Sequence, residues 1–142
     1  MPVSALAIDA NILIRAVLGK KVRSLIETYS PITLFIVPEP AYRDAEHYAA
    51  AVITKRGGDA EPILELLRRL VSLIEVIGPD AYGKFEAEAK MRLATRDPED
   101  WPMLAAALAF DCPIWTEDTD FFGCGVPTWT SDRVEFFLKR TI

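Results

Sequence analysis

Apolar runs alternate with segments of helical periodicity along the whole chain. Short apolar or β-branched runs, several of them bounded by proline or glycine, are typical of buried strands. Longer segments repeat their apolar residues every three or four positions, which is the spacing of one helix face. The predicted strands cover residues 2–9, 31–40, 72–78, 112–118 and 126–131, and the predicted helices cover residues 10–18, 21–29, 41–56, 61–70, 80–94, 97–110 and 132–140.

Local signals refine several of these helices. Gly19 follows the first helix at a position suited to end it. Gly83 lies inside the segment 80–94 and weakens that helix slightly. Ser131 precedes the last helix and is expected to cap it.

Strands separated by helices predict a parallel sheet with helices on both faces. The length of 142 residues suits one domain over residues 1–142 with one hydrophobic core. We therefore predict an α/β fold with three α/β/α layers and a central, mainly parallel sheet of five strands. In such sheets ligands bind outside the carboxyl ends of the strands, where the strand order reverses.

Two predicted strand ends carry acidic residues. The first strand ends at Asp9, and the fourth ends at Asp118 with Asp120 just beyond it. If these strands are neighbours, their carboxylates meet. Asp100 lies at the start of the helix over 97–110, where the helix dipole favours an anion.

The helix over 41–56 offers a further acid. Glu46 lies in its middle, one turn from Tyr42, and its alanine neighbours allow that face to pack closely. Asp44 and Glu39 are nearby competitors for the same role. Crowded carboxylates repel one another, and a hard divalent cation offsets that repulsion. Mg²⁺ prefers oxygen ligands, and such a site activates water for attack on a phosphodiester.

Each acid also has a simpler structural explanation. An aspartate at a strand end is most often a loop residue or a helix cap, and Asp100 by itself is more often an N-cap than a ligand. The segment that begins at Asp118 starts like a calcium-binding loop, but its twelfth residue is Trp129 where that loop requires glutamate. The combination of acids in chain order favours a metal site.

The stretches that carry these acids resemble the PIN domain family of small nucleases, many of which are VapC-type toxins of bacterial and archaeal toxin–antitoxin pairs. The resemblance is carried by "IDANILIRAVL" near the start and "DPEDWPMLAAALAFDCPIWTEDTDFFGCGVPTWT" near the end, with an acidic helix between them. It covers essentially the whole chain, and the C-terminal stretch is its most specific part.

The resemblance implies roles for individual residues. Four residues match the catalytic acids of the family: Asp9, Glu46, Asp100 and Asp118. The implied metal ligands are Asp9, Asp100, Asp118 and Asp120. Asn11 and Thr116 match polar positions that support the site. The local motif around Glu46 is poor, so Asp44 remains an alternative for the central acid.

The resemblance also implies Mg²⁺ or Mn²⁺ as cofactor, cleavage of single-stranded RNA, a homodimer and a cognate antitoxin. The net charge of −5 first argues against a nucleic-acid partner. Without the five site acids, however, the 16 acidic residues that remain equal the 16 Lys and Arg. Arg43 and Arg96 are the residues we expect to contact RNA phosphates.

Other functions and locations are less well supported. A haloacid-dehalogenase-type phosphatase needs a second aspartate two residues after Asp9, where this chain has Asn11. A PIN fold that binds RNA or a partner without cutting it is a further alternative, as is another Mg²⁺-dependent phosphoesterase. The two cysteines lack metal-site spacing and are read as thiols of a cytoplasmic protein. The sequence shows no signal peptide and no membrane span.

Overall fold

A computed structural model of the chain describes residues 4–139. The strands are β1 (Ser4–Ile8), β2 (Thr33–Pro38), β3 (Ile74–Ile77), β4 (Ile114–Trp115) and β5 (Thr128–Trp129). They form one sheet in the order β3-β2-β1-β4-β5, and every neighbouring pair is parallel. The predicted sheet is confirmed, and it is parallel throughout.

Helices cover both faces of this sheet, which gives the three predicted layers. They are α1 (Ala10–Leu18), α2 (Lys21–Tyr29), α3 (Glu39–Lys55), α4 (Glu61–Val71), α5 (Pro79–Tyr82), α6 (Glu86–Arg92), α7 (Trp101–Phe110) and α8 (Val134–Lys139). Helices α1 to α4 pack on one another, whereas α5 and α6 pack on α7, which lies on β1 and β2.

The strand order reverses at β1. The chain moves outward from β1 to β2 and β3, and then returns to place β4 on the other side of β1. The two central strands are continuous apolar runs, and the residues from Leu6 to Ile8 and from Phe35 to Val37 are fully buried. The crevice between the carboxyl ends of β1 and β4 is therefore the switch point at which a ligand site is expected.

Two predicted helices are interrupted. The segment 80–94 divides into α5, a 3-10 turn at Gly83–Phe85 and α6. Glycine at the break is a poor helix former, and the weakening predicted there amounts to an interruption. The segment 97–110 begins with a 3-10 turn at Pro98–Asp100 before α7, in which Pro102 lacks an N–H group.

The prediction that Ser131 caps the last helix is wrong. Helix α8 begins three residues later, and the Val134 N–H donates to the Thr130 carbonyl at 2.8 Å. The Ser131 hydroxyl instead accepts a hydrogen bond from Trp115 Nε1 at 3.0 Å. Residues 2, 3 and 140, which were assigned to the first strand and the last helix, lie outside the described residues. None of the helices between residues 4 and 139 has the length and apolarity that a membrane span requires.

Candidate metal centre

A cavity of about 230 Å³ opens at the switch point, between the ends of β1 and β4, α3 and the start of α7. Its polar wall contains Asn11 and a set of carboxylates: Asp9, Asp44, Glu99, Asp100 and Asp118. Its apolar wall includes Ile14, Pro40, Met103 and the aromatic ring of Tyr48. The structure thus brings together acids from four separate parts of the chain.

Asp9 is the most buried of these acids, with 7% of its surface exposed. It follows β1 and caps α1, because its Oδ1 accepts the Ile12 N–H at 2.9 Å. Its Oδ2 accepts a short hydrogen bond from the Thr116 hydroxyl. Both oxygens are held, so the carboxylate has one orientation at the floor of the cavity.

Thr116 connects the two strand ends. Its side chain is fully buried, and its N–H donates to the Trp129 carbonyl at 3.0 Å, which continues the pairing of β4 with β5. Its Oγ1 donates to Asp9 and accepts the Asp118 N–H at 2.9 Å. One hydroxyl therefore fixes both the carboxylate that follows β1 and the backbone that follows β4.

The acids after β4 separate into different roles. Asp118 begins the 3-10 turn Thr119–Phe121, and its Oδ1 accepts the Asp120 N–H at 2.9 Å. Asp118 lines the cavity. Glu117 does not line it; its Oε2 accepts the Ser131 N–H at 2.6 Å. Of the three acids crowded after β4, one therefore stabilises the chain around β5 and two remain available to the site.

Three carboxylates form the closest group. One oxygen from each of Asp97, Asp100 and Asp120 lies within 4.8 Å of the other two, and all three residues are half-buried. Asp97 accepts the Glu99 N–H at 3.1 Å. Asp100 occupies the N-cap position of α7 but its side chain makes no capping hydrogen bond. The explanation of Asp100 as an ordinary helix cap is therefore wrong, and its carboxylate is left for the cavity.

Burial and mutual repulsion change the acidity of these groups. Burial raises the pKa of Asp9, with opposing contributions from its hydrogen bonds to Thr116 and Ile12 and a smaller increase from Asp118. The pKa of Asp100 is raised to about 6, mainly by burial and then by charge repulsion from Asp97, Asp118, Asp120 and Asp9. The negative charges of these carboxylates repel one another, and burial removes the water that would stabilise them. The ionised cluster is therefore unfavourable without a cation.

The donor set fits a hard divalent cation. The clustered ligands are all carboxylate oxygens, with no imidazole or thiolate among them, which is the ligand chemistry of Mg²⁺ and Mn²⁺. The side chains of Asp100 and Asp120 accept no hydrogen bond from the described residues, so their oxygens remain available as ligands.

Helix α3 presents Asp44 to the cavity, and Glu46 does not line it. Residues two apart on a helix point about 200° from each other, so both cannot face one site. The electrostatic neighbours of Tyr42 include Glu46 and Arg68, which places Glu46 on the side of α3 near α4. The structure therefore does not bring Glu46 together with the other predicted acids, whereas it does bring Asp44.

The two arginines expected to contact phosphates are engaged within the chain. Arg43 is exposed and forms a short ion pair with Glu39, one turn earlier on α3. Arg96 donates from Nη1 to backbone carbonyls, at 3.3 Å to Thr119 and 3.0 Å to Asp120. Neither residue lines the cavity, and their contact with RNA stays a prediction.

Among the residues of the site that the sequence did not identify are Asp97, Glu99 and Tyr48. Asp97 is the first residue of the helix predicted over 97–110, and its spacing of three residues from Asp100 could have indicated a second acid on the same turn. Tyr48 lies one turn after Asp44 and is 57% exposed while it lines the cavity. An exposed aromatic residue cannot be distinguished from a buried one by type, so no local signal marks it.

A parallel three-layer fold with carboxylates gathered at its switch point defines a class of α/β proteins with an acidic ligand site. A match to the PIN domain family covers residues 7–139, and the chain belongs to this family. No curated protein matches the sequence. Among solved structures, this chain is similar to a chain of VapBC2 from Rickettsia felis, with a TM-score of 0.65. In that structure VapBC2 is bound to a DNA fragment from its promoter. It is 14% identical, and the match covers 89% of this chain and 98% of that one.

Proposed function

We propose that this protein, as one nuclease domain, is a divalent-metal-dependent ribonuclease that cuts phosphodiester bonds of single-stranded RNA. The observation that carries the proposal is the set of carboxylates Asp9, Asp44, Asp100 and Asp118 around one cavity at the switch point. Membership of the PIN domain family supports a nuclease over a different phosphoesterase.

Asp44 replaces Glu46 as the acid contributed by α3 in this proposal. It is the only acid between residues 41 and 56 that lines the cavity. Asp97, Asp100 and Asp120 would hold Mg²⁺ or Mn²⁺, with Asp9 and Asp118 beside them. The bound cation supplies activation of water and neutralises charge that develops on the phosphate oxygens.

The residues of the chain orient the reaction. Thr116 holds the Asp9 carboxylate and the Asp118 backbone in a fixed relation, which keeps the acids preorganised. Asn11 lines the same wall and offers an amide to the substrate. The apolar wall with Tyr48 accommodates a nucleobase, and an extended single strand exposes its bases for such stacking.

The test uses the purified full chain with single-stranded RNA, duplex RNA and single-stranded DNA as separate substrates. We expect Mn²⁺ or Mg²⁺ to support cleavage of the single-stranded RNA, and EDTA to stop it. Asp9→Asn and Asp100→Asn should abolish cleavage because each removes ligand charge at nearly constant shape. Equal activity in EDTA, or in either variant, would contradict the mechanism.

We further propose that the protein is the toxin of a toxin–antitoxin pair and acts in the cytoplasm as a homodimer. Support comes from the fold shared with a chain of the VapBC2 complex. The antitoxin would carry a segment that occupies the acidic cavity, and a basic segment fits its charge.

Expression of the wild-type protein alone should arrest growth, and expression of Asp100→Asn should not. Coexpression with the small reading frame adjacent to its gene should restore growth. Arrest by Asp100→Asn as well would contradict a toxin that acts by cleavage.

A further inference from the structure

Two arginines near the end of α6 bind the loop that follows the acids of β4. Arg96 donates from Nη1 to the carbonyls of Thr119, Asp120 and, with a short contact, Phe122. Arg92, one turn earlier, donates to the Cys124 carbonyl at 3.1 Å. The loop over residues 119–124 is therefore tied to the end of α6 by its main chain.

Two glycines, one in this loop and one directly after it, make room for the guanidinium groups. Gly123 and Gly125 have φ angles of 84° and 93°, which favour glycine. A Cβ atom on Gly123 would lie 3.1 Å from Arg96 Nη2, and one on Gly125 would lie 2.6 Å from Arg92 Nη1. A side chain at either glycine would therefore displace the guanidinium group and strain the main chain.

These contacts act on a metal ligand. Arg96 bonds the carbonyl of Asp120, whose carboxylate lies within 4.8 Å of those of Asp97 and Asp100. Asp97 follows Arg96 directly in the chain, so one short segment both supplies an acid and holds the loop that supplies another. The planar guanidinium reaches several carbonyls at once, which the single ammonium group of lysine does not reproduce.

We propose that Arg96 is a positioning residue of the metal centre: it fixes the Asp118–Phe122 segment so that Asp120 stays beside Asp97 and Asp100. The proposal rests on the proposed function, since it assumes that these acids hold a cation. It replaces a direct contact of Arg96 with RNA, because its Nη1 is committed to the loop.

Mn²⁺ binding to the full chain without RNA tests this role, measured by electron paramagnetic resonance or calorimetry. Removing a residue that orients ligands typically weakens metal affinity roughly 10- to 100-fold, and we expect a loss in this range for Arg96→Ala. Arg69→Ala is the matched control, since the Arg69 side chain is 74% exposed and its one ion pair among the described residues is with Glu65 at 3.8 Å. The control should bind Mn²⁺ like the wild type.

Two additional variants separate geometry from charge. Gly123→Ala keeps the Arg96 charge but displaces its guanidinium, and it should weaken Mn²⁺ binding in the same direction. Arg96→Lys keeps charge and folding while losing the multiple bonds, so it should resemble Arg96→Ala. Free guanidinium ion at millimolar concentration should partly restore Mn²⁺ affinity to Arg96→Ala and leave Arg96→Lys unchanged.

The outcomes distinguish the two proposals. If the wild type binds Mn²⁺ and both Arg96→Lys and Gly123→Ala bind it equally well, the positioning role is wrong. If Arg96 variants retain Mn²⁺ affinity but raise the KM for RNA, Arg96 contacts phosphate instead. If the wild type itself binds no Mn²⁺, the proposed metal-dependent function fails. Should Arg96→Ala not fold, the Arg96→Lys and Gly123→Ala measurements decide.

Discussion

The acidic cluster has two parts that are built differently. Asp9, which is buried, and Asp118, which is half-buried, form a hydrogen-bonded part in which Thr116 and backbone N–H groups bond to both residues. Asp100 and Asp120 belong to a half-buried part in which the carboxylates accept no hydrogen bond from the described residues. Hydrogen bonds partly offset the effect of burial on the pKa of Asp9, whereas no hydrogen bond offsets it for Asp100, whose pKa is raised to about 6. The chain itself therefore holds the first part in place, and the proposed cation would offset the repulsion between the carboxylates of the second part.

The largest expected effect concerns Asp44, the acid that α3 contributes to the cavity. Asp44→Asn should reduce the rate of RNA cleavage by more than about 100-fold, beyond the loss typical for a residue that only orients a ligand. Glu46→Gln is the matched control on the same helix and should stay within about twofold of the wild type, because Glu46 does not line the cavity. Single-turnover cleavage assays measure both. A large loss in Glu46→Gln with normal Asp44→Asn would restore the original assignment.

The hydrogen-bonded part should show its role as a loss of stability. Thr116→Val leaves Asp9 Oδ2 without its donor and removes the acceptor of the Asp118 N–H. We expect the free energy of unfolding to fall by about 1–3 kcal/mol in urea titrations at pH 7. Thr95→Val, at an exposed position, is the control and should change little. If Thr116→Val is as stable as Thr95→Val, the hydrogen bonds of Thr116 do not contribute to the free energy of unfolding.

The cation-dependent part should behave in the opposite way. In EDTA at pH 7, Asp100→Asn should melt higher than the wild type by roughly 2–4 °C, since it removes an unfavourable charge without breaking a hydrogen bond. It should also gain less from Mn²⁺, which we expect to stabilise the wild type by about 2.7 kcal/mol at a hundredfold excess over Kd. A lower melting temperature for Asp100→Asn in EDTA would show that Asp100 is structural.

The pH dependence of this difference has a defined sign. The folded pKa of Asp100 is raised from 3.8 to about 6, so between these values the folded state binds more protons than the unfolded state. The stability of the wild type without metal therefore falls as pH rises through this window, and the deficit is complete above pH 6. The advantage of Asp100→Asn should thus be smaller near pH 5 than at pH 7 in thermal scans. An advantage that grows toward pH 5 would exclude this titration.

The smallest expected effect tests the apolar wall opposite the acids. Tyr48→Ala should raise the KM for single-stranded RNA by roughly fivefold, the lower limit for loss of one base stack, with little change in kcat. Tyr48→Phe keeps the aromatic face and should behave like the wild type. Phe136→Ala, at an exposed position on α8, is a control for the loss of an aromatic ring away from the cavity. Equal KM values for all three variants would remove Tyr48 from the substrate site.

The chain order of apolar and polar residues determined most of the fold and part of the site. Buried strands such as "SALAI" need a continuous apolar run, and their parallel arrangement follows from the helices between them. Asp9 and Asp118 could be placed because they follow such strands, and parallel strands end at one edge of the sheet. The position of Asp100 was predicted as a helix start, although the 3-10 turn that ends at Asp100 was not.

Only the tertiary structure decided which other residues face the cavity. The buried stripe of α3 consists of small residues, Ala41, Ala45 and Ala49, and α3 packs against both α1 and α4, so its rotation about its axis was not evident locally. The bonds that set the site join distant positions: Thr116 lies 107 residues from Asp9, and Arg96 lies 24 from Asp120. Hydrophobic periodicity reports which face of each element is buried, but contacts between elements depend on how those faces pack together.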